Sequence, residues 1–431
     1  MKLLQTHKIP KLVFLVFLLL CAISLVSVSR IGAIVSSDSR AYFGMWPYVS
    51  AGYPFLLRGL HKLFEESYPN FAVAFQFFTV IGSIYFFMNV FLMRFRLKIY
   101  QLIVLLLVLF YPIFDSNLWV VNNISTEGLS YSLFLLMIVS CYFVYVQRQL
   151  KWYFILLLLT TLLVTIRGQF KFMIPLFLFM ELALQYKDRK FNWKTILVVF
   201  AIPLFTYVID VSYHRVVQKQ FFTTPFTWTT LVSSVLFVSD ESDAQYIKTE
   251  EAKTIFNKIH SEFRVKKIGY KDHKYFKEPI DYNYVFFHYE YPTICNQTVQ
   301  RVAVRYFEEQ HQDKIKAYID TERVHKQLFF DLMPHNFTKW VALAFQSFKS
   351  GIGGITIALV FIICTVLLLK YYMINNDKLL LFAAFLFLII LANKVLVSIT
   401  VHSIIRYFFY TNWIPVFLLF LGLNAVKIKT D

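Results

Sequence analysis

Charge is scarce in this chain. Of its 431 residues only 16% are Asp, Glu, Lys or Arg, against the ~25% of an average soluble domain, whereas 58% are hydrophobic and 19% aromatic. That balance excludes a disordered chain and argues that lipid is the solvent. Cysteine is scarcer still: Cys21, Cys141, Cys295 and Cys364 are scattered, three of them inside apolar runs, with no CxxC spacing. A disulfide framework and a thiolate metal site are therefore excluded, and the four read as small apolar residues. Several catalytic signatures are also missing. There is no Walker phosphate loop, HExxH, GxSxG or dinucleotide fingerprint, so nucleotide-driven chemistry has no support. His214, His260, His273, His288, His311, His325 and His335 are spread over one long segment without metal-ligand spacing and read as solvated loop histidines.

What the sequence does contain is a series of apolar runs near the ~20 residues that a bilayer crossing needs. They lie at 12–28, 71–93, 99–114, 126–146, 152–166, 172–185, 193–213, 351–369, 379–400 and 412–426. These runs predict an all-α polytopic membrane protein with about ten transmembrane helices. A basic leader with Lys2, Lys8 and Lys11 keeps the amino terminus cytoplasmic; a cleaved signal peptide is the alternative. Counted alternately from there, the cytoplasmic connections carry Arg94, Arg96 and Lys98, then Arg148 and Lys151, then Lys187, Arg189, Lys190 and Lys194. Lys370 and Lys378 follow, and finally Lys427 and Lys429. Every such connection is basic, so the net charge of +17 reports membrane orientation and calls for no nucleic acid.

Two outside segments, 31–70 and 214–350, are too long to be turns. The second has nearly balanced charge and amphipathic stretches at 244–263 and 297–330 that read as helices. The expected organisation is an amino-terminal membrane module over 1–213, a mainly helical extracytoplasmic domain over 214–350, and a carboxyl-terminal membrane module over 351–431.

The outside loops hold the candidates for chemistry. Asp38, within Ser36-Ser37-Asp38-Ser39-Arg40-Ala41-Tyr42, follows the first span closely enough to meet a lipid headgroup. A carboxylate there can take a proton from an attacking hydroxyl, or it can cap a helix beginning at Ser39. Glu127, within Ser125-Thr126-Glu127-Gly128, opens the fourth span at its positive end. It stabilises that helix start with Ser125 or Thr126 as cap, or it pairs with a basic residue and shapes a site. Arg167 sits in the tight turn Thr165-Ile166-Arg167-Gly168-Gln169, where it can grip a phosphate bidentately or snorkel to the headgroups. Arg406 lies before the last span among aromatic residues, suited to a departing phosphate or to anchoring in the interfacial belt. Lys394, inside the ninth span, can reach a cavity shared with these residues or snorkel, and snorkelling is the favoured expectation.

In this order the features resemble the GT-C superfamily of polytopic membrane glycosyltransferases, which includes protein O-mannosyltransferases and lipid A aminoarabinose transferases. The likeness covers nearly the whole chain: Asp38 with Tyr42, Gly52-Tyr53-Pro54, Thr126-Glu127, Arg167, and Arg406-Tyr407. Each piece is short, and their order and common outside placement carry the likeness. The resemblance implies an inverting transfer of a sugar from a polyprenyl-phosphate donor to an acceptor hydroxyl of a glycan, lipid or protein. It implies Asp38 as the general base, Arg406 and Arg167 at the donor phosphate, and Tyr42, Tyr53, Glu127 and Tyr407 shaping the site. Several family members follow the aspartate with glutamate where this chain has Ser39, so the sequence lends no support to a metal or second-acid role at that position; no cofactor is assigned, and a divalent metal stays open as an alternative. The implied setting is a bacterial inner membrane with the site facing outside.

Other functions fit parts of the same pattern. A transporter or flippase for lipid-linked sugars would also be polytopic, but internal repeats and broken helices at the midplane are not evident. A polymerase or ligase of lipid-linked glycans would share topology, donor and outside chemistry; the first-loop aspartate followed by Gly-Tyr-Pro favours monosaccharide transfer. Asn123, Asn296 and Asn336 match the N-glycosylation pattern and would be modified only in a eukaryotic secretory lumen.

Overall fold

The computed structural model describes residues 9–189, 191–270 and 280–428. Lys2, Lys8, Lys190, His273 and Lys429, which figured above, lie outside the described residues. Among the described residues every regular element is helical, and the only extended pairing is one parallel bridge between Ile34 and Asn123. In chain order the α-helices are α1 (Lys11–Ile31), α2 (Ser37–Phe43), α3 (Gly52–Phe64), α4 (Tyr68–Val90), α5 (Ile99–Phe114) and α6 (Glu127–Gln147). These are followed by α7 (Leu150–Ile166), α8 (Met173–Asp188), α9 (Trp193–Val217), α10 (Thr227–Val238), α11 (Glu250–Lys266) and α12 (Ile280–Ile294). The last are α13 (Arg301–His311), α14 (Lys314–Leu332), α15 (Phe337–Ile352), α16 (Ile355–Asn375), α17 (Lys378–Thr400) and α18 (Trp413–Ile428).

Among the described residues six helical stretches are long and apolar enough to cross a membrane: Lys11–Ile31, Gly52–Phe95, Glu127–Gln147, Trp193–Val217, Ile355–Asn375 and Lys378–Thr400. The helices at Ile99–Phe114 and Leu150–Ile166 are equally apolar but shorter. At 1.5 Å per residue a helix of 16 or 17 residues reaches about 25 Å, short of the ~30 Å hydrocarbon core. Exposure fits a lipid solvent. Leu15, Leu19 and Ile23 on α1 and Val360, Ile363 and Val366 on α16 are exposed, whereas α6 is buried on nearly every side.

The chain divides into two compact units. The first comprises Met1–Ile209, Leu359–Asn393 and Ile405–Asp431. It contains a buried polar knot in which the carboxylate of Glu181 accepts from Arg148 (2.7 Å), Tyr153 (2.7 Å), Gln185 (2.7 Å) and Thr195 (2.6 Å). Four donors around one carboxylate satisfy a charge that burial alone would make costly.

The second unit, Asp210–Ala358 with Lys394–Ile404, is built from α10 to α15 and their connections. The stretch 244–263 is two pieces: a 3-10 turn over Glu241–Tyr246, and α11 from Glu250, where the Thr249 side chain accepts from the Ala252 amide. The stretch 297–330 is not one helix. A π-helical turn at Cys295–Gln300 leads into α13, Gln312 adopts φ 53°, and Asp313 caps α14 through the amides of Ile315 (2.9 Å) and Lys316 (3.2 Å). A capping aspartate one residue after a left-handed position restarts the helix in a new direction, which amphipathic periodicity alone does not reveal.

The histidines correct the reading of solvated loop residues. His214 and His325 are fully buried and His260 nearly so. His214 meets Gln218 and Thr224, His260 meets Ser239, and His325 meets Thr229 at 2.9 Å, so each imidazole enters the core with a polar partner. Asn336 is likewise buried, donating to Asp243 at 2.9 Å, so the sequon there is closed to modification. Lys394 is 8% exposed, which corrects the snorkelling expectation: its side chain is enclosed by protein. The four cysteines are free thiols, with Cys141 and Cys295 buried.

Burial of His325 has a consequence for pH. Its pKa is pushed down from 6.5 to about 3. Between those values the unfolded chain binds a proton that the folded chain refuses, so stability falls as pH drops through that window, by about 1.4 kcal/mol per pH unit. Chemical unfolding followed by tryptophan fluorescence at pH 7 and pH 5 should show this loss, and His325→Gln should remove most of it. An equal acid loss in wild type and variant would refute the assignment.

Candidate functional site

The site is built where three loops and two helix starts of the first unit meet. Ser36 adopts extended backbone and caps α2, its hydroxyl accepting from the Ser39 amide while Ser39 returns the bond to the Ser36 amide. The cap is thus Ser36, the helix begins at Ser37, and the reading of Asp38 as a cap is corrected. Asp38 stands in the first turn with its carboxylate free for other partners, favoured there by the positive end of the helix. Ser39 has a second task, donating to the Ile124 carbonyl at 2.7 Å and so fastening α2 to the loop between α5 and α6.

That loop is fastened from two further sides. Asn122 donates to the carbonyls of Val28 (2.9 Å) and Gly32 (2.7 Å) at the end of α1, and backbone bonds join Ile34 to Asn122 and Ile124. From α4, Gln76 donates to the carbonyls of Val121 (2.8 Å) and Asn123 (3.1 Å), and accepts from the Tyr53 hydroxyl at 3.0 Å. Gly128 permits this closeness: a Cβ there would lie 2.8 Å from the Val120 carbonyl oxygen. Gly52 similarly lets α3 approach the end of α7, since a Cβ would meet the Ile166 side chain at 2.6 Å. Tyr42 packs edge-on against Tyr53, ring centroids 5.3 Å apart, and both belong to an apolar cluster with Leu57, Ala72 and Ile124.

The stitched loops bring four charges together. Glu127 is 1% exposed, and its Oε1 accepts from Arg167 Nη1 at 2.6 Å and from Arg406 Nε. Arg167 also donates to the Thr126 hydroxyl at 3.0 Å. Thr126 therefore serves the arginine rather than a helix cap, and no side-chain cap is made at that helix start. Arg406 reaches on, its Nη2 donating to Asp38 Oδ2 at 2.8 Å. Two guanidinium groups and two carboxylates thus form one neutral cluster with Arg406 as the bridge.

Burial divides the roles. Arg167 is 8% exposed, so it does not snorkel. Its guanidinium lies over the rings of Tyr407 (5.3 Å) and Tyr410 (5.7 Å), two cation–π contacts that add to the ion pair. Arg406 and Asp38 are more open, with side chains 31% and 45% exposed. Paired with two carboxylates, Arg406 is more than a belt anchor. Burial works against its charge, but Glu127 and Asp38 outweigh that and raise its pKa above the ordinary arginine value. The Tyr42 hydroxyl is pushed up to about 12, first by burial and then by the charges of Glu127 and Asp38, so it stays a neutral donor.

The seven residues that the resemblance assigns to the site, Asp38, Tyr42, Tyr53, Glu127, Arg167, Arg406 and Tyr407, lie in this region, the four charged ones linked by ion pairs through Glu127 and Arg406. Sequence reasoning missed the polar residues that hold them. Gln169 accepts from Arg167 Nε at 3.0 Å and donates to Asn393 (2.6 Å) and to the Tyr407 carbonyl (2.7 Å), where Asn393 also donates at 2.9 Å. These bonds set the backbone that presents Arg406. The signal was present: Gln76 and Asn393 are amides inside apolar runs, where an uncommitted polar group is expensive. Among the described residues no group of three or more His, Cys, Asp and Glu side chains is arranged to hold a metal ion.

No protein-family model, curated protein or solved structure matches the chain. The fold and the site therefore define its class no further than an all-helical protein with membrane-length helices and a buried, ion-paired polar centre.

Proposed function

We propose that the protein is a membrane-embedded glycosyltransferase of the GT-C type, moving a sugar from a polyprenyl-phosphate donor to an acceptor hydroxyl on the extracytoplasmic face. The observation that carries this reading is the meeting of Asp38, Glu127, Arg167 and Arg406, drawn from four separate segments, in one cluster with an open edge at Asp38 and Arg406. In this reading the chain crosses the membrane ten times, α5, α7, α8 and α18 spanning with the help of their flanking turns. The basic connections face the cytoplasm of a bacterial inner membrane. The long segment after α9 stands outside, where it would select the acceptor.

The chemistry follows from the open edge. Asp38 Oδ1 takes the proton of the acceptor hydroxyl, whose oxygen forms a bond to the anomeric carbon. The bond from that carbon to the phosphate oxygen breaks on the opposite face, inverting the centre, and its electron pair leaves with the polyprenyl phosphate. Arg406 stabilises the charge that grows on the departing phosphate. Arg167, enclosed and committed to Glu127, acts as a positioning residue, which narrows the donor-phosphate assignment to Arg406. The test is sugar transfer in proteoliposomes from a panel of labelled polyprenyl-phosphate sugars, with wild type and Arg406→Ala. One donor consumed by wild type and spared by the variant supports the reading; no donor consumed overturns it.

A further inference from the structure

We infer that Asp38 and the donor's phosphate compete for Arg406, so that the resting site is self-neutralised and the base is released only when donor arrives. The inference rests on the transferase reading and adds how that site is regulated. Its ground is the geometry and charge of the cluster. The Nε of Arg406 is held by buried Glu127, and its Nη2 is held by Asp38 at 2.8 Å. With Arg167 also spent on Glu127, the two positive charges are already balanced by two negative ones. A phosphate anion docking on Arg406 therefore meets no net attraction until a carboxylate gives way.

Only one of the two carboxylates can yield. Glu127 is 1% exposed and fixed by two arginines, so releasing it would strand a buried charge. Asp38 has a 45% exposed side chain and pairs in the cluster with Arg406 alone, so it can leave that contact without being stranded in the interior. Exchange of Asp38 for phosphate leaves the cluster neutral and frees a carboxylate beside the sugar just bound. Donor binding then precedes and enables the base, and a site without donor holds its base out of use. The exchanging partner is a phosphate anion, whether on a polyprenyl lipid or free in solution.

The experiment measures binding of a polyprenyl monophosphate, and separately of inorganic phosphate, to the full chain in lipid nanodiscs. Removing the competing charge with Asp38→Asn should tighten binding of the lipid phosphate by about fivefold, the size expected of a partly exposed ion pair. Asp38→Glu, which restores the charge, should return affinity to the wild-type value and guards against a folding artefact in the first variant. Equal or weaker binding by Asp38→Asn, with binding lost in Arg406→Ala, overturns the exchange and leaves the transferase reading standing. No binding by wild type or either Asp38 variant overturns both. The same fivefold gain with inorganic phosphate supports the exchange but assigns it to the soluble anion.

Discussion

Glutamine in place of Glu127 is expected to lower the stability of the protein by about 3–5 kcal/mol, the cost of stripping one partner from a buried ion pair. The side chain keeps its shape, so the loss is one of charge. Arg167, enclosed against the rings of Tyr407 and Tyr410, would keep a positive charge without its buried carboxylate partner, and Arg406 would lose the anchor on its Nε. Thermal unfolding in detergent should shift down by on the order of 10 °C. Adding Arg167→Met to Glu127→Gln should recover part of that shift, because two compensating removals in a buried pair cost less than one. Activity should not return with it, since Arg406 would still be misplaced. A Glu127→Gln protein with an unchanged unfolding midpoint would mean that the buried pairing contributes little.

The second large effect is on chemistry rather than stability. Asp38→Asn should lower the turnover of sugar transfer by about 10²–10⁴-fold, the usual contribution of a positioned general base. The unfolding midpoint should hardly move, because an ion pair this exposed contributes at most about 1 kcal/mol. Single-turnover transfer from pre-bound donor separates the chemical step from donor capture. The two substitutions, one residue buried and one open, thus divide the cluster into a part that holds and a part that reacts. Retained turnover in Asp38→Asn would remove Asp38 from the base role.

How far the sequence could be read follows from what kind of pattern each feature leaves. The helices were legible because an apolar run of membrane length leaves little room for another structure. Arg406 and Glu127 were legible as candidates because each flanks an apolar run in a connection that holds few other charges. Their partnership was not, since nothing in the order of residues says that positions 127 and 406 touch. It depends on Asn122, Ser39 and Gln76 stitching separate loops together, and each of those is an ordinary polar residue until its partner is known. The buried histidines were misread for a related reason. His325 looks like any other polar residue of an amphipathic helix until Thr229, on a helix almost a hundred positions earlier, supplies its hydrogen bond.

The cluster also has an order of assembly written into its sequence separations. Glu127 and Arg167 lie 40 residues apart, on either side of the α6–α7 hairpin, so their pair can close soon after that hairpin leaves the ribosome. Arg406 is 279 residues beyond Glu127 and 368 beyond Asp38. A chain made only as far as α17 would have both members of the Glu127–Arg167 pair but not the Arg406 that joins them to Asp38. Only when the turn before α18 has been made does the bridging guanidinium arrive, so the contact between Asp38 and Glu127 through Arg406 is the late step in building the site.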